Sequence, residues 1–132
     1  MAKRNIIRLD TEVVVFTLIG ISSHENDYRL SWSINEQLGL AFAQSESLAI
    51  DDKKEFSRFV HEDDEKRLWL VSNRCDNGFL LEKYKNFDFI LKFDSELNEE
   101  ETSVWLRNLK KAPLVSAVFH IPVNKQALQL LG

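Results

Sequence analysis

A nine-residue run near the start of the chain, residues 13–21, is hydrophobic apart from Thr17 and Gly20. The run is rich in β-branched residues and lacks the alternation of a strand with one face in water. It is also much shorter than the roughly 18 apolar residues of a membrane-spanning helix. We therefore predict a β-strand that is buried on both faces, and we expect neither a membrane span nor a removed leader here.

The following segment has the period of an amphipathic helix. Its apolar stripe recurs every four positions, at Leu30, Ile34 and Leu38. Asn26 or Asp27 stands where a side chain can accept a hydrogen bond from the free amides of the first turn. Gly39 stands where a left-handed residue ends a helix. We predict a helix between these two signals.

Two aromatic residues in this helix, Tyr28 and Trp32, invite two interpretations. Trp32 lies off the apolar stripe, so the pair could form an exposed aromatic contact surface. Aromatic side chains are more often largely buried, so we expect the pair to flank the core.

The middle of the chain predicts an antiparallel meander. Residues 40–54 are left unassigned, with extended pieces at 40–43 and 47–50 as the options. Residues 55–62 and 66–75 are two strand-like runs on either side of an acidic turn. The sequence Asp76-Asn77-Gly78 predicts a tight hairpin turn into a third strand over residues 79–81.

The last third predicts strand, helix, strand and a terminal helix. Residues 87–93 alternate, which places Phe87, Phe89, Leu91 and Phe93 on one face. Asn98 caps a helix over residues 99–111 that has acidic residues in its first turn and lysines in its last. A strand over residues 114–121 ends before Pro122, and Asn124 caps a short C-terminal helix. A strand, helix and strand joined so closely belong to one sheet as a right-handed crossover with parallel strands.

This order of elements predicts an α+β fold. We expect a mostly antiparallel sheet with helices mainly on one face, similar to a ferredoxin-like split unit with extra meander strands. Helices on both faces are the alternative. The 132 residues suit a single α+β domain over residues 1–132, with no visible linker or repeat.

Charge and cysteine content narrow the classes of function. The 17 basic residues against 21 acidic ones give a net charge of −4, so we do not expect general nucleic-acid binding. Lys3, Arg4 and Arg8 form one candidate for a small basic patch, although such a group is more commonly an arm without a binding role. Cys75 is the only cysteine, which excludes an intrachain disulfide and favours a reducing, cytoplasmic location.

The sequence gives no local signature of catalysis, of a metal or of a cofactor. The segment His61-Glu62-Asp63-Asp64-Glu65 lacks the alternating acids and the glycine of a calcium loop, so we interpret it as a solvated hairpin tip. One cysteine and three scattered histidines give no zinc spacing. The few glycines build neither a phosphate loop nor a dinucleotide fingerprint. We interpret Cys75 as an inert, half-buried thiol and His120 as a satisfied residue of the last strand.

Three stretches of the chain resemble a small bacterial family, IPExxxVDY, over roughly residues 13–127. They are residues 28–39, residues 77–81 with 87–89, and the helix leading to Pro113. Pro113 and Val118 hold the Pro and Val of the naming motif. Different residues hold its Ile, Glu, Asp and Tyr positions, namely Ala112, Leu114, Phe119 and His120. The family has no assigned activity, so the resemblance implies a small cytosolic bacterial protein and transfers no catalytic residue.

Three hypotheses of function follow, in order of preference. Three Trp and nine Phe in so short a chain favour a non-enzymatic interaction module, a homo-oligomer formed through a sheet edge or the helix-bearing face. The alternative is a domain that senses a small metabolite between sheet and helices near His24, Tyr28 and Trp32. An enzyme of unknown class is third.

Overall fold

The computed structural model describes residues 16–132. The predicted basic patch of Lys3, Arg4 and Arg8 and the first part of the first predicted strand, residues 13–15, lie outside the described residues. In chain order the elements are β1 (Thr17–Ser22), α1 (Asp27–Leu38), β2 (Ala43–Gln44), β3 (Leu48–Ala49), β4 (Glu55–Phe56), β5 (Arg58–Glu62), β6 (Arg67–Ser72), β7 (Arg74–Cys75), β8 (Gly78–Phe79), a 3-10 turn (Glu82–Tyr84), β9 (Phe89–Phe93), α2 (Glu99–Lys110), β10 (Ala117–Ile121) and α3 (Lys125–Leu131).

Six of the strands form one sheet in the order β10-β1-β9-β6-β5-β2, and every neighbouring pair is antiparallel. The predicted α+β class and the mostly antiparallel sheet are confirmed. Strands β9 and β10 are both antiparallel to β1, which lies between them, so they run parallel to each other on either side of it. The ferredoxin-like detail stays a prediction.

One face of the sheet is covered by the two long helices. Leu30 and Ile34 of α1 and Leu109 of α2 pack there against side chains from every second position of the strands, including Ile19, Ile21, Leu68, Leu70, Phe89, Leu91 and Phe93. The predicted stripe of α1 is therefore confirmed, and so is the prediction that helices lie mainly on one face.

The opposite face carries a second hydrophobic core. Helix α3, the β3–β4 pair and the segment around the 3-10 turn cover it, and its buried members include Leu18, Phe56, Val71, Leu80, Leu81, Phe87, Ile90, Ile121 and Leu131. Two buried faces explain why the hydrophobic residues of β1 lie on both sides of the strand and why β1 lies inside the sheet, as predicted. Ile90 is fully buried for the same reason, although it alternates with Phe89 and Leu91.

Phe87 was expected to share a face with Phe89, and this prediction is wrong. Its side chain packs in the second core, on the opposite face from Phe89. The strand begins only at Phe89, and Phe87 belongs to the preceding turn, where its N–H donates to the carbonyl of Tyr84 at 3.0 Å. The alternation of a strand does not extend into a turn.

The helix ends follow the predicted local chemistry. Asn26, Asn98 and Asn124 each cap a helix through the side-chain oxygen. Asn98 and Glu101 form a reciprocal capping box, with distances of 2.9 and 2.7 Å. Gly39 ends α1 with a φ of 68°, in the left-handed region that favours glycine.

Several strands are shorter than predicted. The run over residues 55–62 changes partner at residue 57, because β4 pairs with β3 whereas β5 pairs with β6. The run over residues 66–75 breaks at Asn73, whose buried side chain bonds to the main chain of the next segment. The predicted hairpin turn is confirmed between β7 and β8, but that hairpin ends at Phe79. The last strand begins at Ala117, after a turn in which Val115 donates to the carbonyl of Ala112.

Candidate functional site

The strand β10 is an edge of the sheet. It pairs with β1 on one side, with Val118 opposite Ile21 and Phe119 opposite Gly20. No other strand of residues 16–132 pairs with its second side. The opposite edge strand, β2, has only two residues, so β10 offers the longer free row of main-chain hydrogen-bonding groups in the described part of the chain.

Phe119 stands at the centre of this edge strand and is 52% exposed. One face of its ring stacks on Phe87, with the ring centroids 5.8 Å apart and the planes 15° apart. Val123, just beyond the end of the strand, is also exposed. The edge therefore presents a supported aromatic ring rather than a freely moving one.

The sequence of β10 carries no charge. It reads Ala-Val-Phe-His-Ile, without a lysine, arginine, aspartate or glutamate. Natural edge strands are usually protected against pairing by charged side chains, by proline, by bulges or by very short length. Strand β10 contains neither a charged side chain nor a proline, and Pro122 follows its last residue.

A polar cavity of about 600 Å³ lies where β1 leads into α1. Its lining is Ser23, His24, Glu25, Asn26, Ser72, Arg74, Asp88 and Phe89. Asp88 accepts the N–H of Ser23 at 2.9 Å and forms an ion pair with Arg74. The hydroxyl oxygen of Ser23 accepts the N–H of Glu25 at 3.1 Å. These polar groups largely satisfy one another.

The predicted ligand residues are not brought together by the structure. His24 lines the polar cavity, whereas Tyr28 and Trp32 do not. Tyr28 is 70% and Trp32 61% exposed, so the expectation that they flank the core is wrong. Each is two positions from a residue of the buried stripe, which on an α-helix is a rotation of about 200°. Both rings therefore point away from the sheet.

The acidic hairpin tip between β5 and β6 is a hydrogen-bonded turn. The buried His61 accepts the N–H of Ala41 on Nδ1 at 2.9 Å, so its ring hydrogen lies on Nε2 and is donated to Asp63 at 2.9 Å. Asp63 also accepts the N–H groups of Glu65 and Lys66. Within the described residues, no group of three or more His, Cys, Asp or Glu side chains is arranged to hold a metal ion.

The remaining reactive side chains lie apart from the polar cavity. Cys75 is half-buried in the β7–β8 hairpin as a free thiol. His120 is exposed on β10, and none of the hydrogen bonds among residues 16–132 includes its ring. The predicted place of His120 in the last strand is confirmed. Because its ring is exposed to solvent, its hydrogen bonding stays a prediction.

Comparisons with known proteins add no relative at this point. No protein-family model matches the chain, and no curated protein matches it. Membership of the IPExxxVDY family stays a prediction. Among residues 16–132, no helix combines the length and the hydrophobicity needed to cross a bilayer.

Proposed function

We propose that the protein is a non-enzymatic assembly module that forms a homo-oligomer by pairing β10 with β10 of a second copy. The observation that carries this proposal is an uncharged edge strand of five residues with an exposed Phe119 at its centre. The free main-chain groups of such an edge are a template for another strand.

A second copy is the partner that fits this strand best. An antiparallel strand pairs with itself about a two-fold axis, which gives the closed, self-complementary interface of most homodimers. Centred on Phe119, that pairing sets the two Phe119 rings opposite each other on the same face of a continuous sheet. A directly opposed aromatic pair contributes roughly 0.2–1 kcal/mol.

Size and charge predict a modest affinity. A five-residue strand buries less than the roughly 1,600 Å² of a standard interface, so we expect a dissociation constant of about 1–100 μM. Each copy carries a net charge of −4. Because β10 itself is uncharged, added salt screens the repulsion between copies without weakening the contact, and association should strengthen.

The test is sedimentation velocity over a concentration series of the wild type, Phe119→Lys and Trp32→Lys. The wild type should associate with increasing concentration, Phe119→Lys should remain monomeric, and Trp32→Lys should behave as the wild type. Trp32 is the matched control because it is a large aromatic residue on α1 that is also more than half exposed.

A second variant distinguishes a loss of association from a loss of folding. His120→Glu places a charge on the same edge at an exposed position and should also give a monomer, with circular dichroism confirming that each variant is folded. A wild type that stays monomeric at several hundred micromolar contradicts the proposal. So does association that is lost in Trp32→Lys and kept in both β10 variants.

The polar cavity favours a second candidate function, a domain that senses a small metabolite. It has about 600 Å³ and holds His24, Arg74 and two serine residues. A thermal-shift screen with polar metabolites tests this candidate, since a ligand that binds the native state raises its stability. Stabilisation that His24→Ala and Ser72→Ala both abolish would support it, and no stabilisation by any metabolite would contradict it.

A further inference from the structure

A smaller cavity of about 200 Å³ lies on the sheet face opposite the two long helices. It is lined by Leu48, Arg58, Trp69, Val71, Lys92, Leu130, Leu131 and Gly132. Two of these side chains are cationic, and no acidic side chain is among them. The remaining walls are mostly aliphatic or aromatic.

The ammonium group of Lys92 lies close to two aromatic rings on this face of the sheet. It is half-buried in β9, and its Nζ lies 4.5 Å from the centroid of the Trp69 ring and 5.1 Å from that of Phe16. Nζ also donates to the main-chain carbonyl of Leu131. Burial lowers the pKa of Lys92, and the nearby charge of Arg58 lowers it further.

Neither cation has an ion-pair partner among residues 16–132. Arg58 uses its Nε to donate to the carbonyl of Glu46 at 3.0 Å, which leaves the two terminal nitrogens of its guanidinium free of the described hydrogen bonds. Asp94 is the acid whose charge acts on Lys92, but it is exposed and accepts the N–H of Arg67 at 3.0 Å. Two cationic side chains therefore line one small cavity, beside the main chain of Gly132.

We propose that this cavity binds a small carboxylate with an apolar body, such as a short aliphatic or single-ring aromatic acid. Its carboxylate accepts charge-assisted hydrogen bonds from Lys92 and Arg58 and relieves the repulsion between them. Its apolar part packs against Trp69, Val71 and Leu130, which accounts for aliphatic walls beside two cations. The volume lies below the usual range of ligand pockets, so the ligand is small.

The probes are sodium benzoate and sodium hexanoate, titrated calorimetrically against the full chain at neutral pH. We expect saturable binding with a dissociation constant below about 1 mM. Benzamide, which has the same ring without the charge, and inorganic phosphate, which has charge without an apolar body, should bind at least tenfold more weakly. Bound benzoate should also quench the fluorescence of Trp69, and Trp69→Phe should remove that quenching while the protein still binds.

Two variants separate the site from the fold. Lys92→Met and Arg58→Gln should each weaken benzoate binding at least tenfold, whereas the matched control Lys66→Met, a lysine of the hairpin tip, should bind as the wild type. Arg58→Gln is the safer variant because it removes one hydrogen bond, to Glu46, whereas Lys92 donates to Leu131 and lies against the rings of Trp69 and Phe16.

Three outcomes overturn the inference. They are no binding of either carboxylate up to about 10 mM, benzamide or phosphate binding as tightly as benzoate, and binding that both cation variants retain. None of these depends on the oligomeric state, so this inference and the proposed assembly through β10 fail separately.

Discussion

The ring of Phe87 lies directly against Gly20, so closely that a Cβ atom on Gly20 would come within 2.7 Å of Phe87 Cγ. Gly20 is in the middle of β1, a strand with partners on both sides. The space that a side chain would fill is taken by Phe87, and Phe119 of the edge strand stacks on the same ring. The glycine thus permits the aromatic pair that supports the exposed Phe119.

We predict that Gly20→Ala destabilises the protein by about 1–3 kcal/mol, the usual cost of an extra methyl group in a packed core. The added methyl would also approach Ile121 Cδ1 to 2.9 Å, so no single side-chain movement relieves the contact. Urea unfolding measures the effect. In a Phe87→Leu background the same substitution should cost less, which a double-mutant cycle detects. An unchanged or increased stability of Gly20→Ala would show that Phe87 is not held in this position.

Asn73 is fully buried and uses its whole side chain. Its amide nitrogen donates to the carbonyls of Tyr84 and Phe87, both at 2.9 Å, and its oxygen accepts the N–H of Leu81 at 2.7 Å. These bonds attach the segment around the 3-10 turn, which covers the second core, to the end of β6.

We predict that Asn73→Asp lowers the free energy of unfolding by about 3 kcal/mol or more at neutral pH. The carboxylate removes two donors, leaves carbonyl groups facing a negative charge, and places that charge in a fully buried position. Asn86→Asp is the matched control, since Asn86 is exposed and should change stability by less than about 0.5 kcal/mol. The two variants are compared by urea unfolding, and equal effects would contradict this role of Asn73.

The sequence predicted the parts of the fold that depend on neighbouring residues. Helix caps at Asn26, Asn98 and Asn124 and the turn before Gly78 are local chemistry, and each is present. The face on which Phe87 packs was not predictable in this way, because it depends on where β9 starts. The turn that contains Phe87 and precedes this strand accepts a hydrogen bond from Asn73, which comes fourteen residues before Phe87.

The candidate sites were predicted less well, since they form from distant parts of the chain. The outward direction of Tyr28 and Trp32 was available from the helix period, and the general frequency of buried aromatic residues was the wrong guide. The cavity around Lys92 was missed. Its signal was a lysine inside an otherwise apolar strand, but the partner Arg58 comes from a strand 34 positions earlier in the numbering.

The hairpin tip between β5 and β6 contains a carboxyl group, that of Asp63, whose ionisation makes the stability of the fold depend on pH. The pKa of Asp63 lies well below its ordinary value of 3.8, first because His61 donates a hydrogen bond to its carboxylate. The N–H of Glu65 and the side chain of Lys66 add to the effect. A carboxyl group whose pKa is lower in the folded state stabilises the protein above its unfolded pKa, and this stabilisation is lost as the pH falls through the folded value.

We therefore predict that Asp63→Asn is less stable than the wild type at pH 6 and that the difference shrinks as the pH falls below about 3.8. Below that pH, Asp63 becomes protonated in the unfolded wild type while it stays ionised in the folded protein. Proton binding therefore favours unfolding, and the stability of the wild type falls towards that of Asp63→Asn. Urea unfolding at a series of pH values measures the free energy of unfolding of both proteins.

Asp64→Asn is the matched control. Asp64 is exposed and makes no hydrogen bond among residues 16–132, so this variant should follow the wild type at every pH. A difference between Asp63→Asn and the wild type that stays constant down to pH 2 would mean that the charge of Asp63 does not contribute, and that the turn is held by the neutral hydrogen bonds alone.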